Sequence, residues 1–315
     1  MKPNFFIIWN PKSGTTIIYN YISQHHEIFM STTKEPWYFC TDIHRESDEY
    51  NWKKLFFPIR KQSEYLKLFE DTDSYTIVGE ATPNYINSQE APKNIYEFNP
   101  KAKLLCIIRE PLSFIKSSFY QSLKTGHETE INLFKALELE KERRKWKYLP
   151  KKIRNPQRLF YTEKINFTRN LQRYLEYFPA NQIKVIIYEE FKKDNQKTID
   201  GITDFLWVER IHINKKELNK AKNTRYPKIR NLLQNNFMSN IAIKYFPKNI
   251  ISILWKILDY VTTTNKKSKE LPENEKIKLM QKFKPEVIKI NNLLHKNNLI
   301  DPKIDLVKYW GYDQV

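Results

Sequence analysis

The feature that most constrains the fold stands near the start of the chain. Five consecutive apolar residues, Phe5-Phe6-Ile7-Ile8-Trp9, run straight into Asn10-Pro11-Lys12-Ser13-Gly14-Thr15-Thr16. An apolar run without polar alternation predicts a strand buried on both faces, as a parallel sheet requires. A turn over 10–14 and a helical pattern over 15–25 follow. A tight turn between such a strand and a helix aims backbone N–H groups outward, where the positive end of the helix adds to them. Gly14 permits close backbone approach, Thr15 and Thr16 bring hydroxyl donors, and Lys12 brings a compact positive charge. The segment therefore predicts an anion cradle, most naturally for phosphate.

The same pattern repeats along the first two thirds. Buried strands are predicted at 76–79, 104–108 and 183–188, with helices at 113–124, 133–147 and 162–177. Strand–helix alternation argues for an α/β fold: a central parallel sheet flanked by helices in three layers. From Lys215 onward the chain reads as charged and helical, without a convincing strand, so a helical lid or extension is expected over roughly 215–285. A length of 315 residues suits one domain over 1–315. Residues 228–260 place apolar side chains at helical spacing among Lys and Arg. That pattern fits amphipathic helices on the core, or a peripheral membrane contact through 228–261.

Composition narrows the class. There are 54 Lys+Arg against 36 Asp+Glu, a formal net charge of +18. Such a surface serves nucleic acid, an anionic membrane, a small polyanionic ligand, or solubility alone. Aromatics at 14% exclude a disordered basic tail. The two cysteines, Cys40 and Cys106, exclude a disulfide scaffold and lack zinc spacing. They favour a reducing, cytoplasmic location, and no export or membrane segment is visible.

The loop is not a Walker A sequence, because Lys12 precedes its only glycine instead of following one. Pro11-Lys12-Ser13-Gly14-Thr15-Thr16 resembles instead the 5′-phosphosulfate loop of the sulfotransferases that use 3′-phosphoadenosine 5′-phosphosulfate (PAPS). Other segments match in the right order. Ile107-Ile108-Arg109-Glu110-Pro111 with Ser117 resembles the 3′-phosphate site, where Arg offers a rigid fork and Ser a short donor. Lys34-Glu35-Pro36-Trp37-Tyr38-Phe39 is similar to the heparan-sulfate branch, as are Trp52 and Phe56-Phe57-Pro58. Gly79-Glu80-Ala81-Thr82-Pro83-Asn84-Tyr85 resembles that branch's Glu-Lys-Ser/Thr-Pro-x-Tyr stretch, with Ala81 standing where those enzymes carry Lys. The segment 185–191 resembles the superfamily's late strand and turn, and 223–230 resembles a loop of bacterial members that reaches over the nucleotide.

The resemblance implies a P-loop-like α/β fold and PAPS as co-substrate, with adenosine 3′,5′-bisphosphate as product and no metal. The implied donor-binding residues are Lys12, Ser13, Gly14, Thr15, Thr16, Arg109, Ser117, Arg225, Tyr226 and Lys228. Lys12 would neutralise charge on the leaving oxygen, and Glu35 would take the acceptor's proton; a histidine is the competing base. The implied acceptor is a hydroxyl or amine of a carbohydrate or small polar compound. Two rivals stay open: a P-loop nucleotide kinase or NTPase, and a basic nucleic-acid-binding protein.

Overall fold

The computed structural model describes residues 1–52, 55–150, 153–214, 223–224, 263–264 and 271–315. Two compact units divide the chain. The first comprises Met1–Phe114, Lys164–Lys216 and Ile277–Val315; the second comprises Ile115–Glu163 and Glu217–Lys276.

The first unit is built on five parallel strands in the order β2-β3-β1-β4-β5. They are β1 (Phe5–Ile7), β2 (Ile28–Met30), β3 (Ile77–Ala81), β4 (Lys103–Ile108) and β5 (Ile183–Ile187). Phe5 pairs with Gly79 on one side and Lys103 on the other. Phe5, Phe6 and Ile7 are fully buried, as an unbroken apolar strand must be when both faces are covered. At Gly79 the neighbours leave no room for a side chain, since an added Cβ would stand 2.8 Å from the Phe5 carbonyl oxygen.

The helices are α1 (Thr15–Ile22), α2 (Thr41–Asn51), α3 (Gln62–Leu66), α4 (Ala91–Phe98), α5 (Pro111–Lys124), α6 (Leu133–Glu138), α7 (Glu140–Arg143), α8 (Phe167–Leu175), α9 (Tyr188–Lys193) and α10 (Asn195–Leu206). Phe39 fills the space beside β1, with its ring 5.8 Å from Phe6, 5.2 Å from Tyr65 and 5.7 Å from Tyr85. Trp9 packs on Phe167 at 5.6 Å, joining the end of β1 to α8. The fold class read from the sequence is the one observed.

Three local expectations need correction. The single helix read over 133–147 is two short ones, α6 and α7; Trp146 and Tyr148 beyond them have left-handed φ values of 59° and 53°. The strand β2 was not foreseen. The stretch after Lys215 does hold strand structure, a two-residue antiparallel pair of Asn223–Thr224 with Thr263–Thr264. The expected helix there is present from Glu273 to Lys296 and carries Pro285 in its interior. The whole of 228–261 lies outside the described residues.

The second unit is held by a buried ion pair. Arg143 grips Glu128 through both terminal nitrogens at 2.8 and 2.7 Å, with side-chain exposures of 1% and 0%. Tyr161 Oη and the N–H groups of Thr129 and Glu130 also donate to the Glu128 carboxylate. Charges removed from water in this way are tolerated because each oxygen finds several donors.

Candidate active site

The site begins where β1 ends. Asn10 is buried; its Nδ2 donates to the Lys164 carbonyl at 2.9 Å and its Oδ1 accepts from Asn87 at 2.9 Å. These two bonds clamp the chain before it turns. Lys12 and Gly14 then take left-handed φ values of 75° and 84°. The Ile17 and Ile18 N–H groups both reach back to the Gly14 carbonyl, at 2.9 and 3.1 Å, so α1 hydrogen bonding starts there. The N–H groups of Thr15 and Thr16, ahead of these two, have no intrahelical acceptor by construction. Ser13 Oγ is buried without a partner. Glycine is favoured at position 14: its φ is left-handed, and an added Cβ would stand 3.0 Å from the Tyr188 ring, tight enough that the ring must shift.

Arg109 follows directly on the last residue of β4. Its Nη1 donates to the Lys12 carbonyl at 2.6 Å, its guanidinium carbon lies 4.7 Å from the centre of the Tyr188 ring, and its Nε is buried without a partner. The topology explains this meeting. The chain leaves β1 toward β2 on one side of the sheet and leaves β4 toward β5 on the other, so the two connections part between β1 and β4. Open α/β sheets bind ligands at that crevice. The corner after Arg109 is braced: Glu110 accepts from the Leu112 and Ser113 N–H groups, and Tyr312 Oη donates to it at 2.6 Å.

The loop after β2 brings Glu35 to the same end of the sheet. Its N–H donates to the Ala81 carbonyl at 3.1 Å, and both Glu35 and Trp37 have left-handed φ, at 54° and 60°. Non-glycine residues in that region are held there by their surroundings. Trp37 packs 4.8 Å from Phe57, and Tyr38 stacks on Tyr65 at 4.3 Å. The Glu35 side chain is exposed. Lys34 reaches back to α1, its Nζ donating to Thr16 Oγ1 at 3.0 Å; burial lowers its pKa while Glu35 acts in the opposite sense.

Behind this loop lies Glu80, fully buried at the end of β3. Its Oε1 accepts from Tyr65 Oη at 2.9 Å and Tyr85 Oη at 2.6 Å, and its Oε2 from Thr82 Oγ1 at 2.6 Å. Burial pushes the carboxyl from 4.5 up to about 7; the three hydroxyls oppose the rise and the Glu35 charge adds to it. His44, the histidine packed against this region through Phe57, is kept neutral: burial first, then Arg60, takes its pKa down to about 4. His25 and His26 lie beyond the end of α1, stacked on one another.

Lys12, Ser13, Gly14, Thr15, Thr16 and Arg109 therefore meet in the first unit, and Glu35 stands on the adjoining loop. Ser117 lies on α5 in the second unit and is not described beside them. Arg225, Tyr226 and Lys228 lie outside the described residues. Sequence reasoning missed the positions of Lys34, Glu80 and Tyr188. Their only signal was proximity in sequence to Glu35, to the Thr82-Pro83 turn and to the late strand. Among the described residues no group of three or more His, Cys, Asp or Glu side chains could hold a metal ion.

Comparison with known proteins supplies an independent line. The family model described as "Sulfotransferase domain" matches residues 2–252. The membrane-associated sulfotransferase kil1 of Dictyostelium discoideum is 27% identical over 122 residues, covering 39% of this chain and 23% of that protein. The bifunctional heparan sulfate N-deacetylase/N-sulfotransferase 3 of Homo sapiens is 27% identical over 212 residues, covering 65% of this chain and 22% of that protein. The chain thus spans less than a quarter of either relative. A crystal structure of a sulfotransferase from Alicyclobacillus acidocaldarius shares the fold, with a TM-score of 0.60 and 24% identity over 79% of this chain and 98% of that one.

Proposed function

Because the chain belongs to the sulfotransferase family, we propose that it moves a sulfuryl group from PAPS to a hydroxyl or amine of a carbohydrate or small polar acceptor. The observation that carries this reading is the turn at 12–14 meeting Arg109 between β1 and β4. Its chemistry fits a phosphorylated donor. Ser13 Oγ and Arg109 Nε are buried and unpartnered, and a side chain at position 14 would crowd the Tyr188 ring. Buried polar groups left without a partner are costly, and a bound phosphate would satisfy them.

The donor supplies an activated sulfuryl group. The chain's own residues hold and orient it. N–H groups at the start of α1, with Thr15 and Thr16, would grip the 5′-phosphate, and the helix end favours that negative charge. Lys12 would place its ammonium where charge develops on the leaving oxygen. Arg109, tied to the Lys12 carbonyl, would face the 3′-phosphate; the family resemblance alone would add Ser117, Arg225, Tyr226 and Lys228 as donor contacts. Glu35, exposed on a loop anchored to Ala81, would accept the proton that the acceptor loses on attack. The carbohydrate class rests on the likeness to heparan sulfate enzymes. A cytoplasmic location belongs to the same proposal and rests on Cys40 and Cys106, which are buried free thiols.

Calorimetric titration with adenosine 3′,5′-bisphosphate, without magnesium, tests the reading. Saturable binding is expected. Absence of binding, together with magnesium-dependent ATP hydrolysis, would establish the kinase or NTPase rival instead.

A further inference from the structure

We propose that Lys34 is the cation that grips the sulfuryl end of the donor, a contact that rests on the donor-binding reading above. The Lys34 ammonium is held from two sides. It donates to Thr16 Oγ1 at 3.0 Å and lies 4.8 Å from the centre of the Tyr19 ring. That ring is itself tethered, because Tyr19 Oη donates to the Ser31 carbonyl at 2.8 Å. Thr16 belongs to the first turn of α1, whose outward N–H groups form the anion cradle. An ammonium carries three protons, and Thr16 engages one of them.

Position matters as much as charge. Lys34 precedes Glu35 directly, and the Glu35 N–H is fixed to Ala81. A group bound at the α1 end and turned toward Glu35 therefore passes beside the Lys34 ammonium. Ala81, the last residue of the neighbouring strand, brings no charge to that side. Lys12 belongs to the turn itself and Lys34 to the loop after β2, so the two lysines come from different segments. A positive charge held in place before the ligand arrives stabilises negative oxygens with little reorganisation. The bisphosphate product lacks the sulfuryl group, so a residue that contacts that group distinguishes the two nucleotides.

PAPS and adenosine 3′,5′-bisphosphate would be titrated separately into the wild-type protein, Lys34→Met and Lys34→Arg. Lys34→Met should weaken PAPS binding by ~10-fold or more, the loss of one charge-assisted hydrogen bond, and leave bisphosphate binding unchanged. Lys34→Arg should restore part of the preference. Retained bisphosphate binding also shows that the variant is folded; if Lys34→Met is not, Lys34→Gln carries the same comparison. An equal loss for both nucleotides, or no loss for either, overturns the contact, because a lysine that only ties the loop to α1 affects both alike. Wild-type protein that binds neither nucleotide overturns the sulfotransferase reading itself, and this contact with it.

Discussion

Glu80 gives the most quantitative prediction. Its carboxyl is fully buried, and the titratable groups facing it among the described residues are Tyr65, Tyr85, Cys40 and Glu35, none of them a cation. In the unfolded chain the group titrates near 4.5, and in the folded protein near 7. Between those values the folded state holds more protons than the unfolded state, so stability falls as pH rises. The contribution is fully present below 4.5 and lost as pH passes through about 7. At 1.36 kcal/mol per unit, the difference amounts to ~3 kcal/mol. Glu80→Gln removes the titration and nearly preserves shape. Its Oε1 can still accept from both tyrosines, and Thr82 can reverse its hydroxyl to accept from the new amide. Urea denaturation of both proteins at pH 5 and pH 8 gives the double difference. Part of that difference is already gone at pH 5, so the wild type should lose ~2.5 kcal/mol relative to Glu80→Gln on going to the higher pH. An identical difference at the two pH values would refute the reasoning, because every other titrating group is shared.

Other substitutions separate binding, chemistry and stability. Glu35→Gln should lower turnover by ~10²- to 10⁴-fold while bisphosphate affinity stays constant; near-normal turnover in steady-state assays rules out its role as base. Gly14→Ala, at a left-handed φ and against the Tyr188 ring, should cost about 1–2 kcal/mol in denaturant midpoint and abolish bisphosphate binding in the same calorimetric titration. Arg143→Met strands the buried Glu128 carboxylate and should destabilise the protein by ~3–5 kcal/mol, read as a fall in Tm. Arg210→Ala removes only an exposed ion pair with Asp204, and its Tm should match the wild type.

What could be read in advance was what local sequence determines. β1, β3, β4 and β5 are apolar runs and were legible as such. β2 is three residues long, Ile28–Met30, too short for any periodicity to register. α2 buries only Ile43, His44 and Ser47 along a polar stretch, so its apolar stripe was too thin to see. In the site, Lys12 to Thr16 were legible because a single turn places them. The Arg109–Lys12 contact depends on strand order, and Tyr188 reaches Gly14 from much later in the chain. Such meetings follow from the topology and leave no trace in any one segment. Glu80 is the sharpest instance: an acidic residue within an otherwise apolar strand looks exposed until Tyr65, Tyr85 and Thr82 converge on it.

The strand order also has a consequence for how the chain is made. β1 lies at the centre of the sheet, yet it is synthesised before both strands that pair with it, at Gly79 and Lys103. Until β3 and β4 emerge, Phe5-Phe6-Ile7-Ile8-Trp9 has neither ladder partners nor cover. Pairings between distant segments are slow to form, and an uncovered apolar strand is the kind of surface that self-associates. Yield in a translation system should therefore respond to a holdase chaperone added while the first hundred residues are being made. The segment that shapes the anion cradle is the one most exposed before the cradle exists.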